Sequence, residues 1–228
     1  MDTHQVAEPS TLYFGTPVIL ISSVNDDGSY NLAPMSSIFW LGWRCVFGIN
    51  ATSKTAENLL RTRECVGNLP SSEQVQAVDR LALTTGSDPV PENKRVRGYR
   101  YAREKFELAG LTPAPSETVA APRALECPVH IETRIEHWRD LAETDPKVRG
   151  RVVIFEGRVQ RVHLAEEILK DGDRNRVDTD RWRPLIMSFS RYYGLADGEL
   201  RASTLARIPD HLYRTPDIET ARSVPTKA

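Results

Sequence analysis

The stretch Asn50-Ala51-Thr52-Ser53-Lys54-Thr55-Ala56-Glu57-Asn58 sets three hydroxyls and one ammonium where an apolar run gives way to helix-forming residues. The first turn of a helix has unpaired N–H groups and a partial positive charge, so such a junction favours a phosphate. Ser53 and Thr55 would add hydrogen bonds and Lys54 a compact positive charge. Asn58 lies one turn further on, on the face of Lys54 and Thr55. The glycines of a Walker A loop are missing. Ser or Thr at such a junction also serves as an ordinary helix cap.

A second stretch, Asn31-Leu32-Ala33-Pro34-Met35-Ser36-Ser37-Ile38-Phe39-Trp40, suits a planar ring system. Such a ligand needs flat apolar walls and a few polar groups at its rim. Met35, Phe39 and Trp40 are wall candidates, and Ser36, Ser37 and free N–H groups are rim candidates. The same residues also suit a strand packed in a core. Other chemistry has thinner support. His130, His137 and His163 lack metal-ligand spacing, no G-x-S-x-G elbow anchors a Ser-His-Asp triad, and no G-x-G-x-x-G follows a strand.

The elements that must position these residues read mainly as β. Pro17–Val24 is a β-branched run, closed by turn chemistry at Asn25-Asp26-Asp27-Gly28. Tyr30–Ala33, Met35–Leu41 and Cys45–Ile49 continue the pattern, with Gly42 as a break. A helix over Ala56–Arg61 follows its Ser/Thr cap, and Cys65–Leu69 is a strand. Ser71 and Gln74 have capping-box spacing before a helix bearing Val75, Val78 and Ala82 on one face. Tyr101–Ala109 reads as helix, with Gly110 just past its end. Leu125–Trp138 reads as a long strand and Arg151–Leu164 as its antiparallel partner, interrupted at Gly157. The spacing is not that of βαβ units, which disfavours a doubly wound parallel sheet.

The chain has 228 residues, 40% hydrophobic and 27% charged, which is enough for one sizeable core without staples. Lys+Arg is 30 and Asp+Glu is 31, for a net charge of −1. That balance speaks against a dedicated nucleic-acid or membrane-surface protein. No apolar run reaches membrane-helix length, and the N-terminus has neither the basic nor the apolar region of a secretory signal. Cys45, Cys65 and Cys127 are an odd, dispersed set. Buried thiols in a reducing, cytoplasmic protein are the simple expectation. Residues 1–11 and 215–228 are polar, Pro-containing ends, expected to be loosely held.

In order along the chain come Gly28-x-x-Asn31-Leu32-Ala33-Pro34-Met35-Ser36, Ser53-Lys54-Thr55-Ala56-x-Asn58, and Cys65-Val66-Gly67-Asn68-Leu69-Pro70. Glu104-Lys105-Phe106, Gly110-Leu111-Thr112-Pro113, Glu126-Cys127-Pro128-Val129 and Phe155-Glu156-Gly157-Arg158-Val159 follow. Over roughly residues 14–195 this ordered set resembles the flavin reductase-like family of FMN-binding split barrels. The resemblance implies a fold that is mainly β with added helices, a six-stranded antiparallel split β-barrel. It would be a single domain with its core at about 12–195, usually a homodimer. It also implies FMN, or FAD, as cofactor, with NAD(P)H as co-substrate.

By the same resemblance, Pro34, Met35, Ser36 and Ser37 lie along the isoalloxazine. Asn50, Ala51 and Thr52 meet the ring's polar edge through backbone, and Ser53, Lys54, Thr55 and Asn58 hold the phosphate. The implied activity is an NAD(P)H-dependent flavin reductase, passing hydride to flavin N5 and supplying reduced flavin to a partner oxygenase. The alternatives are an FMN-holding oxidoreductase with its own small substrate and a non-catalytic flavin-binding protein. No catalytic acid–base pair is assigned. Two departures stand out. Leu41-Gly42-Trp43-Arg44 replaces a longer Pro-Pro turn, and Val152 stands where several members carry a histidine near the nicotinamide. The basic run Lys94–Lys105 reads as a solvated loop or as a gate attracting a phosphorylated substrate such as NADPH. Arg191-Tyr192-Tyr193 reads as a pocket closure or a buried anchor.

Overall fold

The structure, a computed structural model, describes residues 3–227. Met1 and Asp2, where the N-terminal stretch read above begins, and Ala228 lie outside the described residues. In chain order, β1 (Phe14–Pro17) precedes β2 (Ile19–Val24), β3 (Tyr30–Met35), β4 (Ile38–Leu41) and β5 (Arg44–Asn50). Then come α1 (Lys54–Thr62), β6 (Glu64–Leu69), α2 (Val75–Leu81), β7 (Thr84–Thr85), α3 (Glu92–Arg95), β8 (Arg100–Tyr101) and α4 (Lys105–Ala109). Short β9 (Pro113–Ala114) and β10 (Arg123–Ala124) lead to the long pair β11 (Val129–Asp140) and β12 (Val152–Leu164). The chain ends with β13 (Ile186–Ser188), β14 (Arg191–Tyr193) and α5 (Pro216–Ser223).

The main sheet has seven strands in the order β3-β2-β6-β11-β12-β5-β4, and every pairing is antiparallel. This corrects the six-stranded barrel expected above. The apolar run expected as one strand over Met35–Leu41 breaks at Ser36-Ser37, where the chain leaves its pairing with β2 and begins pairing with β5. Ser37 anchors the corner. Its carbonyl accepts from Gly48 N at 3.1 Å and its hydroxyl donates to the Gly48 carbonyl at 2.8 Å. The two edge strands of the sheet, β3 and β4, are therefore consecutive in the chain, and the sheet must curl to let two residues join them.

β2 is buried on both faces, which is why Ile19, Leu20 and Ile21 are consecutive apolar residues rather than an alternating set. Leu20 packs outward with Leu32, Val78, Leu81 and Phe106, under α2 and α4. Ile19 and Ile21 pack inward with Phe47, Leu59, Ile135 and Phe155. The three cysteines are free and buried, as expected.

Gly157 does not interrupt β12. It pairs with Cys45 on one side and Ile135 on the other. A Cβ at Gly157 would collide with Thr133 Cγ2 and stand 3.0 Å from Cys45 Sγ, so the residue is glycine because three strands approach too closely for a side chain. Gly157→Ala is expected to lower stability by about 1–3 kcal/mol, read as a fall in the urea midpoint with an unchanged m-value.

Two further expectations are corrected. The helix expected over Tyr101–Ala109 is only α4, because Arg100 and Tyr101 instead pair in parallel with Thr84 and Thr85. The C-terminal stretch is not loosely held. Arg44 grips Asp217 at 3.1 Å, Arg161 donates to the Ala221 and Val224 carbonyls, and Ala221 is buried.

Candidate functional site

A cavity of about 870 Å³ opens beside the Ser36-Ser37 corner. Its volume lies in the range of small-molecule and cofactor sites. β3 brings Pro34 and Met35 to it, β5 brings Phe47 to Asn50, and β12 brings Val152 and Ile154. The N-terminal segment adds Leu12, Tyr13 and Thr16, and the start of α1 adds Ser53 and Thr55. Ala82, Thr84, Lys94 and Tyr99 close the side nearest α2 and α3.

Among the eleven residues expected to hold a cofactor, Pro34, Met35, Ser36, Ser37, Asn50, Ser53 and Thr55 meet on these walls. Ala51, Thr52, Lys54 and Asn58 do not. Ala51 packs against the inner core, and Thr52 turns its hydroxyl to Asn50 Oδ1 at 2.7 Å. The N–H groups expected to face a ring edge are already engaged. Ala51 N donates to the Arg151 carbonyl, Thr52 N to Asn50 Oδ1, and Ser53 N to the Asn50 carbonyl. Asn58 is fully buried and donates to Ser23 Oγ at 3.0 Å and Asn25 Oδ1 at 2.9 Å. One turn of helix carries it past the cavity and under the first β-turn.

Lys54 is committed as well. Its ammonium lies 2.8 Å from Glu57 Oε1 and 3.8 Å from Asp26 Oδ1, and the bond to Glu57 holds its pKa above the usual lysine value. Ser53 caps α1, accepting from Ala56 N at 3.1 Å. The N–H groups of Lys54 and Thr55 have no partner among the described residues. Thr55 is buried and its Oγ1 accepts from Asn31 Nδ2 at 2.9 Å.

Thr16 was not legible in the sequence, whereas Tyr99 and Lys94 belong to the run read above as a solvated loop or a gate. Thr16 lies on the cavity wall, and its hydroxyl is buried without a hydrogen-bond partner. A buried hydroxyl left unpaired is costly. Tyr99 and Lys94 come from the basic run. Lys94 Nζ donates to Thr85 Oγ1 at 3.1 Å and stands 5.9 Å from the centre of the Tyr99 ring. A parallel pairing between β7 and β8 ties this segment beside the cavity.

Of the remaining candidates, Phe39 lines the cavity while Trp40 packs against the inner core. Tyr192 packs on the outer core, Tyr193 is largely exposed, and neither lines the cavity. His130 and His163 face each other at 6.3 Å, away from the cavity, and no group of three metal-ligating side chains is found among the described residues. None of the described helices is long and apolar enough to cross a membrane.

The walls carry no carboxylate, histidine or cysteine among the described residues. The arrangement is thus an apolar slot with a hydroxyl rim and one cation. It can hold and orient a flat heterocycle that brings its own reactivity. The residues fit such a group: flat apolar walls, an orphaned hydroxyl, and an open helix N-terminus beside it.

Comparison with known proteins gives the same direction. The family described as "Flavin reductase like domain" matches residues 11–196. The protein YdfE of Bacillus subtilis is 36% identical over 196 residues, spanning 85% of this chain and 91% of that one. Among solved structures, the flavoredoxin of Desulfovibrio vulgaris superposes with a TM-score of 0.70 at 21% identity, covering 90% of this chain and 99% of its own. Nitrilotriacetate monooxygenase component B from Bacillus cereus superposes at 0.65 with 22% identity, covering 82% and 87%.

Proposed function

The chain belongs to the flavin reductase-like family, and from that premise we propose that its cavity holds FMN and that it is an NAD(P)H-dependent flavin reductase. A bound flavin supplies the redox chemistry itself, taking hydride at N5 from a reduced nicotinamide. The observation that supports this most is the cavity: about 870 Å³, apolar-walled, rimmed by hydroxyls, and lined among the described residues by no carboxylate, histidine or cysteine. The protein's part is to bind, orient and exclude water. Pro34, Met35, Ile49 and Val152 would flank the ring, and the unpaired Thr16 hydroxyl is available to its polar edge. Asn58 and Thr52 act on the site through others: Asn58 fastens α1 to the turn at Asn25, and Thr52 fastens Asn50.

The oligomer proposed is a homodimer whose interface covers the cavity mouth. What supports it is the apolar rim: Leu12, Phe39 and Leu141 line the cavity yet are 72%, 52% and 46% exposed, and apolar rims of this kind mark association surfaces. The likeness to a monooxygenase component supports an oxygenase as the receiver of reduced flavin. FAD is the alternative cofactor, and a cytoplasmic location completes the reading.

A second reading is favoured by Val152. Where several family members carry histidine near the nicotinamide, this cavity wall carries an isopropyl group. That suits an FMN-holding oxidoreductase acting on its own small substrate.

The test is an anaerobic titration. The purified protein should quench added FMN or FAD, and NADH or NADPH should then bleach the visible flavin band. Quenching without bleaching, followed by electron transfer from dithionite-reduced protein to an added acceptor, moves the assignment to the second reading. No quenching by either flavin removes both.

A further inference from the structure

Residues 198–214 form a strap between two fastened ends. Before it, Arg183 Nη2 donates to the Leu195 carbonyl at 3.0 Å and to Asp197 Oδ1 at 2.8 Å. After it, Arg44 grips Asp217 through two bonds of 3.1 Å. Between these anchors the chain makes two short 3-10 turns, Thr204–Arg207 and Asp210–Tyr213. Their hydrogen bonds are local, such as Ile208 N to the Leu205 carbonyl and Leu212 N to the Pro209 carbonyl, each at 3.0 Å. Among the described residues, no hydrogen bond or ion pair joins the strap to the rest of the chain. Leu200, Leu205, Ile208, Leu212 and Tyr213 are nevertheless all exposed. Isolated turns of this kind do not hold themselves in water, and clustered exposed apolar side chains mark an association surface. The flavin reductase-like match ends at residue 196, so the strap lies beyond it.

The cavity mouth is the second apolar surface without a partner, at Leu12, Phe39 and Leu141. Within one chain the strap is anchored away from Leu141. Leu141 N donates to the Val152 carbonyl, and Val152 pairs with Asn50 at one end of β5. Arg44, which holds Asp217, pairs with Arg158 at the other end, about 20 Å along the strand. The earlier anchor lies further the same way. The Arg183 carbonyl accepts from Ser72 N, just past Leu69, and Leu69 pairs with Val129 opposite Leu164. A two-fold axis covers both surfaces at once, because each copy then offers a strap to its partner's mouth and a mouth to its partner's strap. The charges suit this arrangement. Arg201, Arg207 and Arg214 of the strap have no carboxylate partner, and Asp140 and Glu143, on either side of Leu141, have no cationic one, among the described residues. Opposite charges around an apolar contact fix its register.

We propose that the strap of one copy docks over the cavity mouth of a second copy of this chain, where the partner's Leu205, Ile208 and Leu212 cover Leu12, Phe39 and Leu141 and exclude water. This rests on the homodimer reading and names the segment that completes each site.

The experiment uses the full chain. In sedimentation velocity the wild type should be a dimer. Leu205→Asp, Leu212→Asp and Leu141→Asp should each weaken self-association by roughly tenfold or more, the scale of an interface anchor. All three side chains are exposed in a single copy, so each variant should still unfold cooperatively. A cross-link fixes the direction and needs no destabilising change. Copies carrying Leu212→Cys, mixed with differently tagged copies carrying Leu141→Cys and treated with a short bis-maleimide, should give a covalent heterodimer. The three native cysteines are buried and stay out of the reaction. A chain carrying both substitutions should give covalent dimers rather than internally closed monomers.

Absence of the heterodimer link overturns the strap assignment, and a wild type that is still a dimer then leaves the homodimer reading standing. Equal self-association in the wild type and both strap variants has the same meaning. A wild type that stays monomeric at every concentration removes the homodimer reading and the strap assignment together. An internal link in the double variant, without covalent dimers, also overturns the proposal, since the strap would then close its own cavity.

Discussion

Phe47→Ala is expected to cost about 3–5 kcal/mol of unfolding free energy, the range for emptying a buried phenylalanine site. In a chain of this size that is a fall of about 10 °C in melting temperature. Phe47 is 2% exposed and sits opposite Phe155 in the β5–β12 register, with ring centroids 5.6 Å apart and planes at 25°. It also faces the cavity, so it belongs at once to the inner core and to the pocket floor. Truncation would remove the stacking partner of Phe155 and join the new void to the cavity, and the sheet cannot close over both. Thermal melting and flavin titration of the same variant check it: stability and flavin affinity should fall together. Phe39→Ala is the contrast, since Phe39 is on the wall but 52% exposed, and its stability should change by less than about 1 kcal/mol. A loss of similar size in both variants would contradict the role given to Phe47.

The second large effect is expected at Glu132. This carboxylate is completely buried next to the point where β12 carries an extra residue, Gln160, opposite β11. It accepts from Glu117 N at 2.8 Å, Thr118 N at 2.6 Å, Thr118 Oγ1 at 2.6 Å and His163 Nε2 at 2.7 Å. Burial alone would raise its pKa, but the bonds from His163, Thr118 and Glu117 outweigh burial and bring it to about 2, against 4.5 for a free glutamate. Its contribution is therefore present above pH 4.5 and lost as pH falls toward 2. Glu132→Ala strands four donors and is expected to cost about 3–5 kcal/mol at neutral pH. The deficit should shrink in acid, where the wild type loses the same contribution.

The loop that Glu132 holds is also tied to the C-terminus, through the bond from Lys227 N to the Glu117 carbonyl and through Arg161 to Glu117. The variant should therefore release residues 221–227 to proteolysis. His130 adds a separate step. Burial, then Arg123 and His163, lower it to about 4, so it favours folding less and less as pH drops from 6.5 toward 4. That slope should remain in Glu132→Ala. Urea unfolding across this range reads both, and a pH-independent difference between wild type and variant would remove Glu132 from the acid transition.

What the amino-acid sequence determined by itself was local. The turn at Asn25–Gly28 needed only residues able to turn, and it forms with Gly28 at φ +81° and Asn25 N bonded to the Ser29 carbonyl. The Ser53 cap and the Ser71–Gln74 box act over three residues, and both are present. The long β11–β12 pair and the inward cysteines followed from runs of apolar and β-branched side chains. The ordered motifs also carried the family, because they record many local requirements at once.

The tertiary structure decided everything that depends on which distant segment arrives beside which. Tyr101 is strand rather than helix because Thr85 lies next to it. Gly157 spans a crowded junction of three strands, although in sequence it resembles a break. Asn58 and Lys54 share the helical face of Thr55, and the fold adds to each a partner from the first β-turn. Thr16 carried no signal, since an unpaired hydroxyl is defined by the partners that fail to reach it. Caps and turns are bonds over a few residues and are written where they act. Burial and charge compensation are sums over the whole fold, and no short stretch of sequence contains them.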